Sequence, residues 1–227
     1  MRLINDFFKL IFPVTCAACS KVLVKNERVI CLSCNYTLPR TNFHIDHNNP
    51  VSQIFWGRIR IENATAFYFF NKGSKFRHLV HELKYNNRKD IGTELGKIFG
   101  YEISAAEGFR QIDIVMPVPL HKKKLKKRGF NQSESIARGI SEALCKPLDI
   151  SSVLRSVNSS TQTRKNRYDR WLNVAGIFTV VNPNILIGKH ILLVDDVVTT
   201  GATIEACATE ILKIEGTRVS VAVLAVA

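Results

Sequence analysis

The chain has 227 residues, 46% hydrophobic and 22% charged, the balance of a globular protein and not of a disordered one. Its 12 glycines and 7 prolines exclude a collagen-like or low-complexity chain, and no run of 18 apolar residues is present to form a membrane-spanning helix. Lys and Arg number 32 against 19 Asp and Glu, a net charge of +13 that favours anionic partners: nucleic acid, phosphorylated metabolites or acidic lipid.

The N-terminal stretch 3–13 is apolar in parts, but Asp6 and Lys9 interrupt it and no small-residue cleavage site follows. Leu3, Phe7 and Leu10 fall on one face of a short amphipathic helix. The expectation is a cytoplasmic protein, where paired cysteines suggest a metal before a disulfide. Of six cysteines, Cys16, Cys19, Cys31 and Cys34 form two C-x2-C knuckles with eleven residues between them. Two such knuckles on a folded-back hairpin place four thiolates around one Zn²⁺. The predicted arms are residues 21–25 and 28–30, with Asn26-Glu27 at the turn. Iron is the alternative metal, since rubredoxin-like sites use the same ligands. Four protein ligands leave no open position, so the metal is read as structural. His44 and His47 are read as loop histidines, and Cys145 and Cys207 as small core residues on helices.

Residues 37–55 are polar and turn-rich, which places a boundary between an N-terminal module, 1–45, and a larger domain, 46–227. In that domain 65–70 reads as a strand, and 76–99 as helical with a break near Tyr85-Asn86-Asn87. Residues 112–118 read as a buried strand and 133–144 as a helix with Asn131 as N-cap. A short strand at 152–154, a basic stretch over about 156–173, a strand at 191–194, a helix at 202–214 and an apolar strand at 219–226 complete the order. Strands and helices that alternate in this way, with strands apolar on both faces, predict an α/β fold with a parallel sheet flanked by helices.

The most informative segment is Ile191-Leu192-Leu193-Val194-Asp195-Asp196-Val197-Val198-Thr199-Thr200-Gly201-Ala202-Thr203. A central strand ends on two acids, at the end where ligands bind in open α/β sheets. A Thr/Gly-rich turn then opens a helix, whose backbone N–H groups make an anion site. Adjacent carboxylates do not bind phosphate, but they accept ribose hydroxyls or face Mg²⁺. The combination suits a ribose 5-phosphate. The segment resembles the phosphoribosyl pyrophosphate (PRPP) motif of type I phosphoribosyltransferases. That resemblance implies that Asp195 and Asp196 hold the ribose hydroxyls and Mg²⁺, and that Thr199, Thr200, Gly201, Ala202 and Thr203 hold the 5′-phosphate.

A narrower resemblance covers nearly the whole chain. The four-cysteine module, Leu83-Lys84-Tyr85, Pro117-Val118-Pro119-Leu120, Arg128-Gly129-Phe130-Asn131-Gln132, Thr161-Gln162 with Arg164, Arg167, Asn173-Val174 and Phe178, and the PRPP motif occur in that order. Together they are similar to the ComF/ComFC family of competence-related proteins. The family implies a zinc module fused to a type I phosphoribosyltransferase-like fold. It also implies a role in natural transformation, the handling of incoming single-stranded DNA, with a competence helicase or other DNA-processing proteins as partners and a place at the inner face of the membrane.

By the same resemblance Pro119, Leu120, His121 and Lys122 form the pyrophosphate loop, with Arg128 and Lys84 as further cations. The stretch 155–173 resembles the loop that closes over PRPP, where Arg164, Lys165, Arg167 and Arg170 meet the departing pyrophosphate as catalytic cations. The run from Lys122 to Arg128 carries six positive charges in seven residues, more than pyrophosphate can use. Lys123, Lys124, Lys126 and Lys127 are assigned to nucleic-acid backbone, against a plain solvated loop. The competing reading is an active phosphoribosyltransferase with an unidentified acceptor and no DNA role.

Overall fold

The computed structural model describes residues 13–70, 75–155 and 177–227. The amphipathic segment 3–10 and the four cations Arg164, Lys165, Arg167 and Arg170 lie outside them. Four strands form the central sheet: β1 (Ala64–Phe69), β2 (Ile114–Pro117), β5 (His190–Val198) and β6 (Arg218–Val226). Their spatial order is β1-β6-β5-β2 and every pairing is parallel, as predicted. Two short antiparallel strands, β3 (Val153–Arg155) and β4 (Phe178–Val180), form a separate ribbon.

The period-2 alternation of β6 shows how the sheet is covered. Ala222 and Leu224 point to one core and Val219, Val221 and Val223 to the other. The first core is filled by α3 (Lys75–Tyr85), α4 (Lys89–Ser104) and α6 (Gln132–Leu144) through Leu79, Leu83, Leu95, Phe99, Ile136 and Ile140. The second is filled by α7 (Ala202–Ile211), the β3–β4 ribbon and the turn after α2 (Pro50–Gln53). Both faces of β5 and β6 are therefore buried, which is why these strands read as continuous apolar runs.

Helices α4 and α6 approach closely because glycines stand at their crossing. A Cβ on Gly96 would lie 2.2 Å from the Ile136 carbonyl oxygen, and one on Gly139 would lie 2.1 Å from that of Thr93. The break between α3 and α4 falls at Asn86–Arg88, with Asn87 at φ 54°. Both edges of the sheet are covered. Thr41 N–H donates to Phe67 O and Phe69 N–H to Pro39 O, so residues 39–41 run antiparallel along β1. On the other edge, residues 147–149 run parallel to β2 and bond to it through Val115.

The cysteine module departs from the predicted hairpin. Thr15 bridges Val22 and Leu23 N–H donates to Val14 O, so the chain before the first knuckle pairs with residues 22–23. Residues 28–30 form no strand. Ala17 N–H bonds Val29 O, and the second knuckle opens a helix, α1 (Leu32–Thr37), whose N-cap is Cys31. Ala17, Val29, Ile30 and Leu38 join the same core as α3 and α4. Cys207 is buried as expected, but Cys145 is exposed. It follows Leu144 as the C-cap of α6 at φ 52°, past the last helical residue and off the face that packs on the core.

Candidate functional site

The site lies where β2 and β5 end side by side. Pro117 pairs with Val194, and Val118 N–H still donates to Val194 O at 2.8 Å before the chain leaves the sheet. The next two residues of β5 are Asp195 and Asp196. β5 continues through them to Val198, because β6 runs alongside to Val226. Around this edge a cleft of about 190 Å³ is lined by Lys84, Lys124, Arg128, Arg155, both aspartates and Thr203, among others. Four cations and two carboxylates thus converge where ligands bind in open α/β sheets.

The two carboxylates are held differently. Asp195 Oδ1 accepts from Ser133 Oγ at 2.7 Å and from Asp196 N–H at 2.9 Å. Asp196 Oδ1 accepts from Val197 N–H at 2.7 Å, while Oδ2 pairs with Lys84 Nζ at 2.7 Å. Lys84 sits in the last turn of α3, so the end of that helix places one ammonium on the pair. Burial, then the charge of Asp196, push the Asp195 carboxyl up to about 7, against the donors from Ser133 and the Asp196 amide.

One short segment ties these parts together. Gly129 closes α5 (Lys122–Arg128) at φ 79°, its N–H bonded to Leu125 O. Asn131 caps α6 by accepting from Ser133 N–H and, through Nδ2, donates to Val118 O at 3.0 Å, which fixes the loop after β2. Gln132 accepts from Arg128 Nη1 at 2.7 Å. Phe130 is buried, with Lys89 Nζ 5.4 Å from its ring centroid.

The turn after β5 leads into α7 through Gly201, at φ 73°, with no side chain capping the helix. The first-turn N–H groups of α7 are left for an anion. A Cβ at Gly201 would lie 2.5 Å from Ile54 Cγ2, so only glycine lets the turn pass residues 54–55. Arg58 braces it from the same side, donating to Ile54 O and Thr200 O and pairing with Glu205 on α7.

Of the residues read from the sequence, the structure brings Lys84, Pro119, Leu120, Lys124, Arg128, Asp195, Asp196 and Thr203 to one cleft. His121 instead turns back to cap α5, its Nδ1 accepting from Lys123 N–H. Lys122 lines a neighbouring cavity, and the lysine run is a helix, not a loop. Sequence reasoning missed Ser133 and Arg58. Ser133 follows the quoted Arg-Gly-Phe-Asn-Gln run and was legible as its extension. Arg58 gave no signal, since Thr200 lies 142 residues away.

In the N-terminal module the sulfurs of Cys16, Cys19, Cys31 and Cys34 all lie within 4.8 Å of one another. Four sulfurs about 2.3 Å from one zinc stand about 3.8 Å apart, and Cys19 Sγ and Cys31 Sγ are 3.8 Å apart. The donor set therefore fits a tetrahedral metal. Cys31 N–H donates to Cys16 Sγ at 3.2 Å and Cys34 N–H to Cys31 Sγ at 3.4 Å, the outer-shell bonds that orient such ligands. Burial opposes ionisation of Cys16, but the backbone amides of Cys31, Ala18 and Cys19 bring its thiol down to about 7. Burial and the neighbouring thiols push Cys34 up.

The phosphoribosyl transferase domain family matches residues 114–226, the span from β2 to β6. DNA utilization protein YhgH of Escherichia coli is 28% identical over 87% of this chain and 84% of its own length. Competence protein F of Haemophilus influenzae is 28% identical over 56% of this chain and 57% of its own. Competence protein ComFC of Bacillus subtilis is 26% identical over 82% and 79%. The chain belongs to the ComF/ComFC family. Its fold is that of the type I phosphoribosyltransferases, with a four-cysteine cluster at the N-terminal end. Among solved structures, a glutamine PRPP amidotransferase from B. subtilis is 22% identical with a TM-score of 0.43, covering 63% of this chain and 30% of that one. This ComF-family chain thus spans under a third of that protein's length.

Proposed function

We propose that this ComF-family protein binds PRPP in the β2–β5 cleft and acts in DNA uptake or utilization by handling single-stranded DNA. The observation that carries the first half is the placement of Asp195 and Asp196 between the capless N-terminus of α7 and four cations. The amides at 199–203 receive the 5′-phosphate, the aspartates accept the ribose hydroxyls, and Lys84, Lys124, Arg128 and Arg155 face the pyrophosphate. The two carboxylates offer hard oxygen donors that suit Mg²⁺, which when bound would neutralise pyrophosphate charge. The cysteine cluster holds a structural zinc, because its four thiols leave no open coordination position. For the second half, relatives named for DNA utilization and for competence are supported by α5, whose Lys123, Lys126 and Lys127 are exposed. Transfer of the ribose 5-phosphate to an acceptor is the further reading, favoured by the cations gathered where pyrophosphate would leave.

Two variants test the proposal as a cross. Asp195→Ala with Asp196→Ala leaves ribose hydroxyls unpaired and weakens PRPP binding at least roughly tenfold, while an oligodeoxythymidylate binds as before. Replacing Lys123, Lys126 and Lys127 by Ser weakens the oligonucleotide and flattens its salt dependence, by roughly 0.7 in log–log slope for each phosphate no longer neutralised, while PRPP binds as before. Failure of the wild type to bind PRPP overturns the first half, and failure to bind the oligonucleotide overturns the second.

A further inference from the structure

Helix α5 is a wall between two cavities. Lys124 and Arg128, four residues apart, line the acid-pair cleft. Lys122 and Leu125, three apart, line a second cavity of about 410 Å³ on the other side. Pro119, Leu120 and Arg155 border both cavities, so the second opens beside the first. Its walls include Leu125, Ile150, Leu154 and Val181, which are 41%, 53%, 50% and 45% exposed. Leu125 is the single apolar residue of a helix otherwise made of six cations. Four exposed aliphatic side chains gathered in one recess are the kind of patch that marks a binding surface.

We infer that this recess seats an unstacked base of a single DNA strand whose phosphates run along Lys123, Lys126 and Lys127, with Lys122 and Arg155 at its mouth. The inference rests on the nucleic-acid reading above and names the surface that would carry it. Charge decides the occupant. A second copy brought against Leu125 would set six cations against six others across a two-fold axis. A bilayer is met by a protruding apolar face, whereas this surface is concave. A strand supplies both requirements, anionic phosphates for the exposed lysines and a flat apolar base for the aliphatic recess.

The test uses fluorescence anisotropy with a dT12 oligonucleotide and a twelve-unit abasic strand of the same charge. Leu125→Ser with Leu154→Ser, and Leu154→Ser alone on the exposed side of β3, leave every cation in place. The inference expects dT12 to bind about tenfold more weakly to the double variant, with a smaller loss for the single one. The abasic strand should bind all three proteins alike, and Lys123/Lys126/Lys127→Ser should weaken both strands. Unchanged dT12 affinity in the leucine variants overturns the inference, as does an equal loss for the abasic strand. Co-sedimentation with vesicles of phosphatidylcholine and phosphatidylserine that is lost in the leucine variants also overturns it, by assigning the recess to a membrane. If neither strand binds the wild type, the nucleic-acid reading itself fails and the inference falls with it, a result separable from a loss in the variants alone.

Discussion

Replacing Asp195 by Asn should stabilise the unliganded protein at neutral pH. The change is nearly isosteric, and Oδ1 can still accept from Ser133 Oγ and from Asp196 N–H. What it removes is a charge that burial and Asp196 disfavour, raising this carboxyl from 3.8 to about 7. Three pH units at 1.36 kcal/mol each set a ceiling of about 4 kcal/mol on the gain. The sign follows from proton binding. Below pH 4 the carboxyl is protonated folded and unfolded, and its ionisation costs nothing. Between pH 4 and 7 the unfolded chain ionises first, so the native state loses stability as pH rises; above 7 the full cost remains. Urea denaturation followed by circular dichroism at pH 4.5, 6 and 7.5 should show the variant gaining on wild type across this window, by up to about 1.4 kcal/mol per pH unit. A stability difference that is flat in pH would refute the reasoning.

If Asp195 accepts ribose hydroxyls as proposed, its ionised form is the stronger acceptor, so PRPP affinity of the wild type should rise as pH increases from 6 to 8. Calorimetry would show this directly, and no rise in that interval would count against the role of Asp195. Arg58→Ala removes the brace on Thr200 O and Glu205 and should weaken ribose 5-phosphate binding by about 1–2 kcal/mol, with Arg58→Lys restoring part of it. Elemental analysis should find one zinc per chain, and Cys31→Ser, which removes one of the four sulfurs while leaving a side-chain oxygen to cap α1, should lose it. Gly139→Val drives a side chain into the Thr93 carbonyl at the α4–α6 crossing and should destabilise the fold by several kcal/mol in thermal melts.

The central sheet was legible because burial on both faces leaves only apolar residues over 191–194 of β5 and 221–226 of β6, and because a turn rich in Thr and Gly marks the start of α7. The acid pair was legible as chemistry, although β5 extends past it: the end of a strand depends on its partner's length, and β6 pairs with Val198. The cysteine spacing gave the cluster but not the backbone around it. Cysteine is not a customary N-cap, and only the bond from Cys34 N–H to Cys31 Sγ reveals why a helix begins there. The lysine run shows no apolar periodicity from which to read an element, yet it is helical. His121 caps its start, Gly129 closes its end, and its charges divide between a cleft, a recess and solvent. Arg58 lies just past a polar, turn-rich stretch, and a hydrogen bond made across 142 residues leaves no periodic trace.

The most direct test of the proposal that the β2–β5 cleft binds PRPP is a calorimetric titration with Mg²⁺ present, comparing wild type with the Asp195→Asn/Asp196→Asn variant and using ribose 5-phosphate as competitor. The account predicts one saturable site for PRPP per chain, displaced by ribose 5-phosphate and at least about tenfold weaker in the double variant. Equal affinity in the two proteins, or no binding to the wild type, would contradict it.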